Sequence, residues 1–419
     1  MANDKGDKKV LKAIKNIFNS QLYAMSLYAR QIAGTAVLLL VTRFLSVHDY
    51  GLFRSYGTIA GFCLMFANLE YGNYILVSSN AKVKEVKLKI SLFMLHAIVL
   101  VCLALITSYL LKIDSYLIFA LVLFRTFFDA TFFGLMLPYF QASKKFNVIS
   151  WINIFYSVAT ILFAFICYIK HYSLVTFLLM GICLGILNFL QCSYFANINY
   201  LLLFKYLKKM IKKIDRSIFE YIFSSLTWFL YAQIPPLYVS TKLQKEDAAL
   251  FFAAFTISNI VYILVNAQNQ KIVPELIHSS YEKSKIILRK NIIFIFSILF
   301  SMLFIFILAG KFILSLIYGK GIYGDANICL IILTLGNMFV ALGAIHGAYI
   351  TAKGKQKYKS RMMLEASLIT ILSLIILHKF GIYSAALSFL FAAIYAGTRF
   401  MLFTKKLLEQ QKIKEVING

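Results

Sequence analysis

Long apolar runs alternate with short polar connectors along the entire chain. The runs cover 21–45, 52–78, 90–111, 116–139, 147–169, 173–200, 219–241, 249–273, 291–309, 326–351, 362–378 and 383–404. A run of ~20 apolar residues crosses the hydrocarbon core of a bilayer as a helix. In that medium every backbone polar group must be satisfied within the helix itself. The pattern therefore predicts an all-α, polytopic membrane protein of about twelve transmembrane helices.

The connectors carry a second pattern. Those at 82–89, 144–145, 205–216, 271–290 and 353–361 are rich in Lys and Arg, whereas those around 46–51, 112–116, 169–173, 241–247, 310–325 and 378–383 are poor in them. Basic connectors stay in the cytoplasm. With the two tails counted inside and the span-end Arg43 and Arg54 outside, 31 Lys and Arg lie inside and 9 outside, which predicts both termini in the cytoplasm. Composition agrees with the spans: 61% of the 419 residues are hydrophobic and the mean hydropathy is +0.78. The net charge of +26 does not point to nucleic acid. It sits in short inner connectors, where orientation and anionic headgroups account for it.

The first run is too long for a signal peptide, lacks a small-residue cleavage site and carries Arg30. The six cysteines lie in or beside runs with no CxxC, and the six histidines are scattered. No disulfide frame, metal site or cofactor is implied.

Residues 205–218 form a polar connector at mid-chain that divides it into an expected N-terminal six-helix lobe (1–204) and C-terminal six-helix lobe (219–419). The lobes share a weak repeat. His48-Asp49-Tyr50-Gly51-Leu52-Phe53 through Thr58-Ile59 matches Glu246-Asp247-Ala248-Ala249-Leu250-Phe251 through Thr256-Ile257 at a constant offset. Tyr139 to Lys145 resembles Tyr349 to Lys355. An even number of spans per half makes the repeat parallel, and such halves enclose a central cavity.

A charge deep in a bilayer costs several kcal/mol, at least ~2.5–3.5 on insertion scales, so it needs a partner or a wet cavity. Arg30, Glu70, Arg125 and Asp129 are such charges, all in the first half. Arg125 and Asp129 share one helical face. Arg30, Glu70 and Asp129 fall at similar depth, ~15 Å from the inner ends. One reading is an anion-binding vestibule, with Arg30 and Arg125 facing a phosphate-bearing substrate. The other is a pair of structural ion pairs, Arg30 with Glu70 and Arg125 with Asp129. Glu70 and Asp129 are either counter-ions or carriers of a coupling proton or sodium ion. Glu365 and Arg399 lie near inner ends, where snorkelling suffices.

Weaker signals remain. Pro235-Pro236 in the seventh run is either a hinge or a static kink. Pro138 and Pro274 terminate helices. Gly319, Gly321 and Gly324 match G-x-G-x-x-G without a preceding strand, so a turn is expected there and not a nucleotide site. Asn153, Asn188, Asn259 and Asn337 are among the polar span residues that serve as interhelical glue or contact sugar hydroxyls. His346 reads as a packed polar residue rather than a proton carrier.

Arg30-Gln31, the segment Arg43-Phe44-Leu45-Ser46-Val47-His48-Asp49-Tyr50-Gly51, the loop Ile317-Tyr318-Gly319-Lys320 and the end Tyr349 to Lys355 resemble Wzx-type polysaccharide flippases. These belong to the multidrug/oligosaccharidyl-lipid/polysaccharide (MOP) exporter superfamily. The resemblance implies a two-lobe bundle around a cationic cavity. It implies a non-enzymatic flippase of the bacterial inner membrane that moves undecaprenyl-diphosphate-linked O-antigen or similar repeat units by alternating access. Arg30 would take the cavity cation's role and Arg125 a second one. The implied partners are the lipid-linked oligosaccharide, membrane lipids, H+ or Na+, a polysaccharide polymerase and a chain-length regulator. Two alternatives stay open: a cation-coupled multidrug antiporter of the same fold, favoured by acids dominating the cavity, and a polytopic polymerase or glycosyltransferase, disfavoured by short outer loops without paired carboxylates.

Overall fold

The computed structural model describes residues 3–68, 98–197 (except 107, 110–114, 133–135 and 144), 217–260, 265, 272, 275–277 and 279–418. Among them the chain is all-helical, with no strand. The helices are α1 (Asn3–Phe44), α2 (Val47–Asn68), α3 (Tyr116–Thr131), α4 (Leu137–Ala142), α5 (Phe146–Lys170) and α6 (Leu174–Ala196). They are followed by α7 (Ser217–Lys242), α8 (Lys245–Ser258), α9 (Tyr281–Tyr318), α10 (Asn327–Ala352), α11 (Gln356–Leu377) and α12 (Ile382–Asn418). Short 3-10 turns at Gly321–Ala326 and His378–Phe380 join the last four.

Six stretches among the described residues are long and apolar enough to cross a membrane: Phe146–Lys170, Leu174–Ala196, Tyr281–Tyr318, Gly321–Ala352, Lys357–Phe380 and Ile382–Ile413. The protein is a multi-pass membrane protein. The expected second, third, fourth, sixth and eighth spans fall partly outside the described residues; Glu70, Pro274 and most of the 205–218 connector also lie outside them. At ~1.5 Å per residue, α9 and α12 are each well over 50 Å long, more than a hydrocarbon core requires.

The chain forms two compact units. Unit 1 comprises Met1–Leu45 and Ile59–Tyr221; unit 2 comprises Ser46–Thr58 and Ile222–Gly419. In unit 1, α1 packs along α5, and α6 packs against α3 and α5. In unit 2, α10 is central and packs against α8, α9 and α12, while α11 covers α12. The α10–α12 seam is made of small residues. A Cβ on Gly397 would lie 2.6 Å from the Phe339 carbonyl oxygen, and one on Gly336 would lie 2.7 Å from the Phe389 ring. Ala385, Ala386, Ala392, Ala393 and Ala396 are buried on the same helix. With lipid outside, close backbone approach and dispersion hold helices together, and small residues permit it. Elsewhere the apolar surface faces outward: Phe300, Phe304, Leu308, Phe312 and Leu316 of α9 are exposed, as a lipid-facing helix requires.

The repeat read in the sequence has structural counterparts. Helix α2 begins at Val47 and α8 at Lys245, the equivalent positions. Within unit 2 these two starts meet: His48 Nδ1 lies 2.8 Å from Glu246 Oε1. A Cβ on Gly51 would run into the Lys245 carbonyl, so only glycine permits that approach. Tyr50, Tyr318 and Tyr323 are fully buried beside it with their rings in contact. The matched tyrosines also act alike. Tyr139 donates from its hydroxyl to the Ala196 carbonyl at the end of α6 (3.1 Å). Tyr349 donates to Gln411 Oε1 near the end of α12 (2.7 Å).

The glycine triplet forms a turn. Gly319 ends α9 at φ 71°, and Gly321–Ala326 is the 3-10 turn into α10. Pro235 and Pro236 are buried within α7, which continues as a helix through both.

Candidate functional site

Unit 1 gathers charged and polar groups from α1, α3 and α5 around one arginine. Arg30 is two-thirds of the way along α1 and only 6% exposed. Its Nη1 donates to Asn153 Oδ1 on α5 (3.2 Å). Its Nη2 lies 3.8 Å from Asp129 Oδ1 on α3. The guanidinium is sandwiched between two rings, with its carbon 3.6 Å from the centroid of Phe132 and 4.1 Å from that of Tyr156. Desolvated cation–π contacts of this kind contribute about 2 kcal/mol.

The anchoring extends outward. Tyr156 donates its hydroxyl to Asp129 Oδ1 (2.9 Å). Asn153 donates from Nδ2 to Ser26 Oγ (3.3 Å), and Ser26 donates to the Tyr23 carbonyl (2.7 Å). The chemistry follows from the connectivity. A planar guanidinium has five donors in a fixed fork. Asn153 and the two rings fix its plane, and Asp129 neutralises it. Asp129 differs from Arg30 in access: its side chain is 38% exposed. The carboxylate therefore stands at the open edge of the cluster, with the arginine behind it.

The sequence's candidates are thus partly brought together. Arg30 and Asp129 share one site, a pairing that neither of the two structural ion pairs expected from the sequence included. Glu70 lies outside the described residues. Arg125, one turn before Asp129 on α3, carries its guanidinium carbon 4.6 Å over the Phe177 ring and lies against Gly181 of α6. A side chain at Gly181 would crowd it: a Cβ there would come within 3.1 Å of Arg125 Cδ.

Asn153 was legible only as one polar span residue among many. Phe132, Tyr156 and Ser26 carried no signal of their own among 39 Phe and 26 Tyr. The one available cue was spacing: Asn153, Tyr156 and Ser157 form an i, i+3, i+4 polar face within an otherwise apolar α5. Asn337 behaves as glue, donating from Nδ2 to the Ser258 carbonyl (2.8 Å). His346 is buried in α10. No His, Cys, Asp and Glu among the described residues cluster in a way that would hold a metal.

Known proteins place this architecture. Residues 17–278 match the family described as polysaccharide biosynthesis protein. The capsular polysaccharide biosynthesis protein CapF of Staphylococcus aureus is 28% identical over 197 residues, which are 44% of this chain and 48% of CapF. The match thus spans about half the length of that relative. Among solved structures, an inward-facing MATE family multidrug resistance transporter of the MOP superfamily superposes with a TM-score of 0.67 at 12% identity, over 91% of this chain and 95% of that one. The lipid II flippase MurJ in an inward closed conformation gives 0.68 at 16% identity, over 94% and 91%. At such identities these two structures establish the fold alone. The apolar helices, the duplicated helix starts and the family match across more than half of the chain lead to one assignment: this protein belongs to the polysaccharide biosynthesis protein family and has the fold of MOP superfamily transporters.

Proposed function

We propose that this protein is a flippase for an undecaprenyl-diphosphate-linked oligosaccharide repeat unit, O-antigen or a similar surface glycan. It carries the repeat unit from the cytoplasmic to the periplasmic leaflet by alternating access and performs no covalent chemistry. The observation that carries the reading is Arg30: a guanidinium fixed by Asn153 and two rings, deep in a helix of a polysaccharide biosynthesis protein. A diphosphate offers a fork of oxygens to it. Asp129 occupies that position at 3.8 Å. Diphosphate and Asp129 then compete for one cation. Protonation of Asp129, or sodium binding there, frees Arg30 for substrate, and release of the ion expels the substrate. The glycan passes through the wet cavity while the polyprenyl tail stays in lipid. In this reading the chain lies in the bacterial inner membrane with both termini cytoplasmic, the lobes 1–204 and 219–419 rock about the 205–218 connector, and Pro235-Pro236 supplies a hinge.

A second reading, a cation-coupled multidrug antiporter, draws on the exposure of Asp129 relative to Arg30. One experiment separates them: complementation of a strain lacking its polysaccharide flippase, with drug susceptibility measured in parallel. Flipping predicts restored surface glycan, its loss in Arg30→Ala at matched membrane levels, and partial activity in Arg30→Lys, which keeps charge but not the fork. Unchanged glycan in Arg30→Ala removes the diphosphate role. Drug resistance without glycan rescue selects the antiporter.

A further inference from the structure

Unit 2 carries a second cationic cluster, on the seam between α11 and α12. Arg361 donates from Nε to Glu365 Oε1 (3.1 Å), one turn on along α11. Arg399 of α12 reaches Glu365 Oε2 (3.5 Å), and Tyr395 donates its hydroxyl to the same oxygen (2.6 Å). Two guanidiniums from neighbouring helices thus converge on one carboxylate, which orients both and neutralises only one. Snorkelling alone would direct each cation separately to water. Here they are tied together and open: the side chains of Arg361 and Arg399 are 78% and 49% exposed. Arg361 commits only Nε among the described residues, leaving its terminal nitrogens available.

The surroundings specify a ligand. Tyr358 and Phe403 stack across the seam next to the cluster, with centroids 5.0 Å apart. Lys405 and Lys406 lie exposed on α12 beyond them, and Lys353, Lys355, Lys357 and Lys359 precede Arg361. On the other side, the face of α11 that bears Arg361 and Glu365 continues as Leu368, Leu372 and Ile375, all exposed. These positions repeat at three- and four-residue steps, so they form one stripe. A charged head beside an apolar stripe is the complement of a phosphate-headed lipid lying along the helix. The excess of cations favours a head with several negative charges over a singly charged phosphodiester.

We propose that the α11–α12 seam is a docking site for the diphosphate head of a polyprenyl-diphosphate lipid, with Arg361 and Arg399 on the phosphates and the chain along Leu368, Leu372 and Ile375. The site lies in the half that lacks the deep charges. It rests on the flippase reading for its ligand and acts as a capture point before the lipid engages Arg30.

The test is site-specific photo-crosslinking of the full chain in phosphatidylcholine nanodiscs, with labelled undecaprenyl diphosphate as probe and a photo-reactive residue replacing Leu368. Crosslinking is expected in the otherwise unaltered chain and about tenfold weaker in Arg361→Gln/Arg399→Gln, as loss of charge-assisted hydrogen bonds implies. Arg361→Lys/Arg399→Lys, which preserves charge and guards against misfolding as the cause, is expected to retain an intermediate yield. Equal crosslinking in the Gln variant overturns the proposal. So does equal displacement of the probe by phosphatidylglycerol, which would make the seam a general phospholipid contact. Failed complementation with intact crosslinking removes the flippase reading alone; intact complementation with unaffected crosslinking removes this site alone.

Discussion

At the scale of single residues, the useful contrast is between a charge that is held and a charge that is reachable. Arg30 is held on every side, whereas Asp129 bonds Tyr156 and keeps an open edge. Asp129→Asn retains the Tyr156 and Asn153 scaffold but cannot exchange a proton. The expected outcome is that purified Asp129→Asn still protects vesicle-bound lipid-linked substrate, while its flipping rate loses the pH dependence of the wild type. Unaltered pH dependence would assign coupling to another group. His48 and Glu246 pose a simpler titration outside the spans. The Glu246 carboxyl is held below the usual carboxylate range, first by its own backbone amide and then by His48. A group with a lowered folded pKa stabilises the fold above its unfolded value and loses that contribution as pH falls through the folded one. Charged neighbours on the packed helix starts are Asp49 and Lys245, with Lys320 within electrostatic reach of Asp49. Both partners are half-exposed, so the effect is small. Glu246→Gln should lower the neutral melting temperature slightly and flatten the acid limb of a thermal-unfolding profile, while leaving stability at low pH unchanged. Gly51→Leu, by contrast, collides with backbone and should lower the melting temperature at every pH.

At the scale of helices, legibility divides cleanly by physics. Hydrophobic runs set helix positions, so α5, α6, α10 and α11 appear where the pattern predicted them, while α9 and α12 extend well beyond the runs 291–309 and 383–404 into the polar flanks. Turn chemistry was equally readable: glycine at Gly319 takes the positive φ that ends α9. The partners of Arg30 were not, because one-dimensional spacing gives depth but not which neighbouring helix faces the cation. Depth alone placed Asp129 level with Arg30; the packing of α1 along α5 adds Asn153 and Tyr156 to it as partners. The α10–α12 seam was hidden for a related reason. Glycine and alanine score as unremarkable in hydropathy, yet they decide how closely two helices approach. Gly397→Leu should therefore cost about 2 kcal/mol or more by overpacking against Phe339, read as a lowered melting temperature in detergent. Leu308→Ala on the exposed face of α9 should be nearly neutral in the same assay.

At the scale of the molecule, the charge pattern of the connectors makes the sharpest demand. Lys and Arg divide 22 to 7 between the two sets of connectors, and the positive-inside rule predicts the basic set in the cytoplasm. Every functional step above depends on that orientation. Under the proposed function, a lipid-linked oligosaccharide assembled inside meets Arg361 and Arg399 in the inner leaflet, which holds only if the 353–361 connector is cytoplasmic. Reporter fusions decide it. A fluorescent protein fused after Gly419 should fluoresce, because it folds in the cytoplasm, and alkaline phosphatase fused after Lys320 should be active, because it folds in the periplasm. The two results must appear together if α10, α11 and α12, each long and apolar enough to span, all cross once, since an odd number of crossings then separates the two sites. If both reporters were reversed, the seam of α11 and α12 would face the outer leaflet. Its cations would then meet a carrier lipid after transport rather than before, and capture by Arg361 and Arg399 would become release. If both reporters fell on one side, one of those three helices would not cross, and the parallel six-plus-six repeat would fail with it.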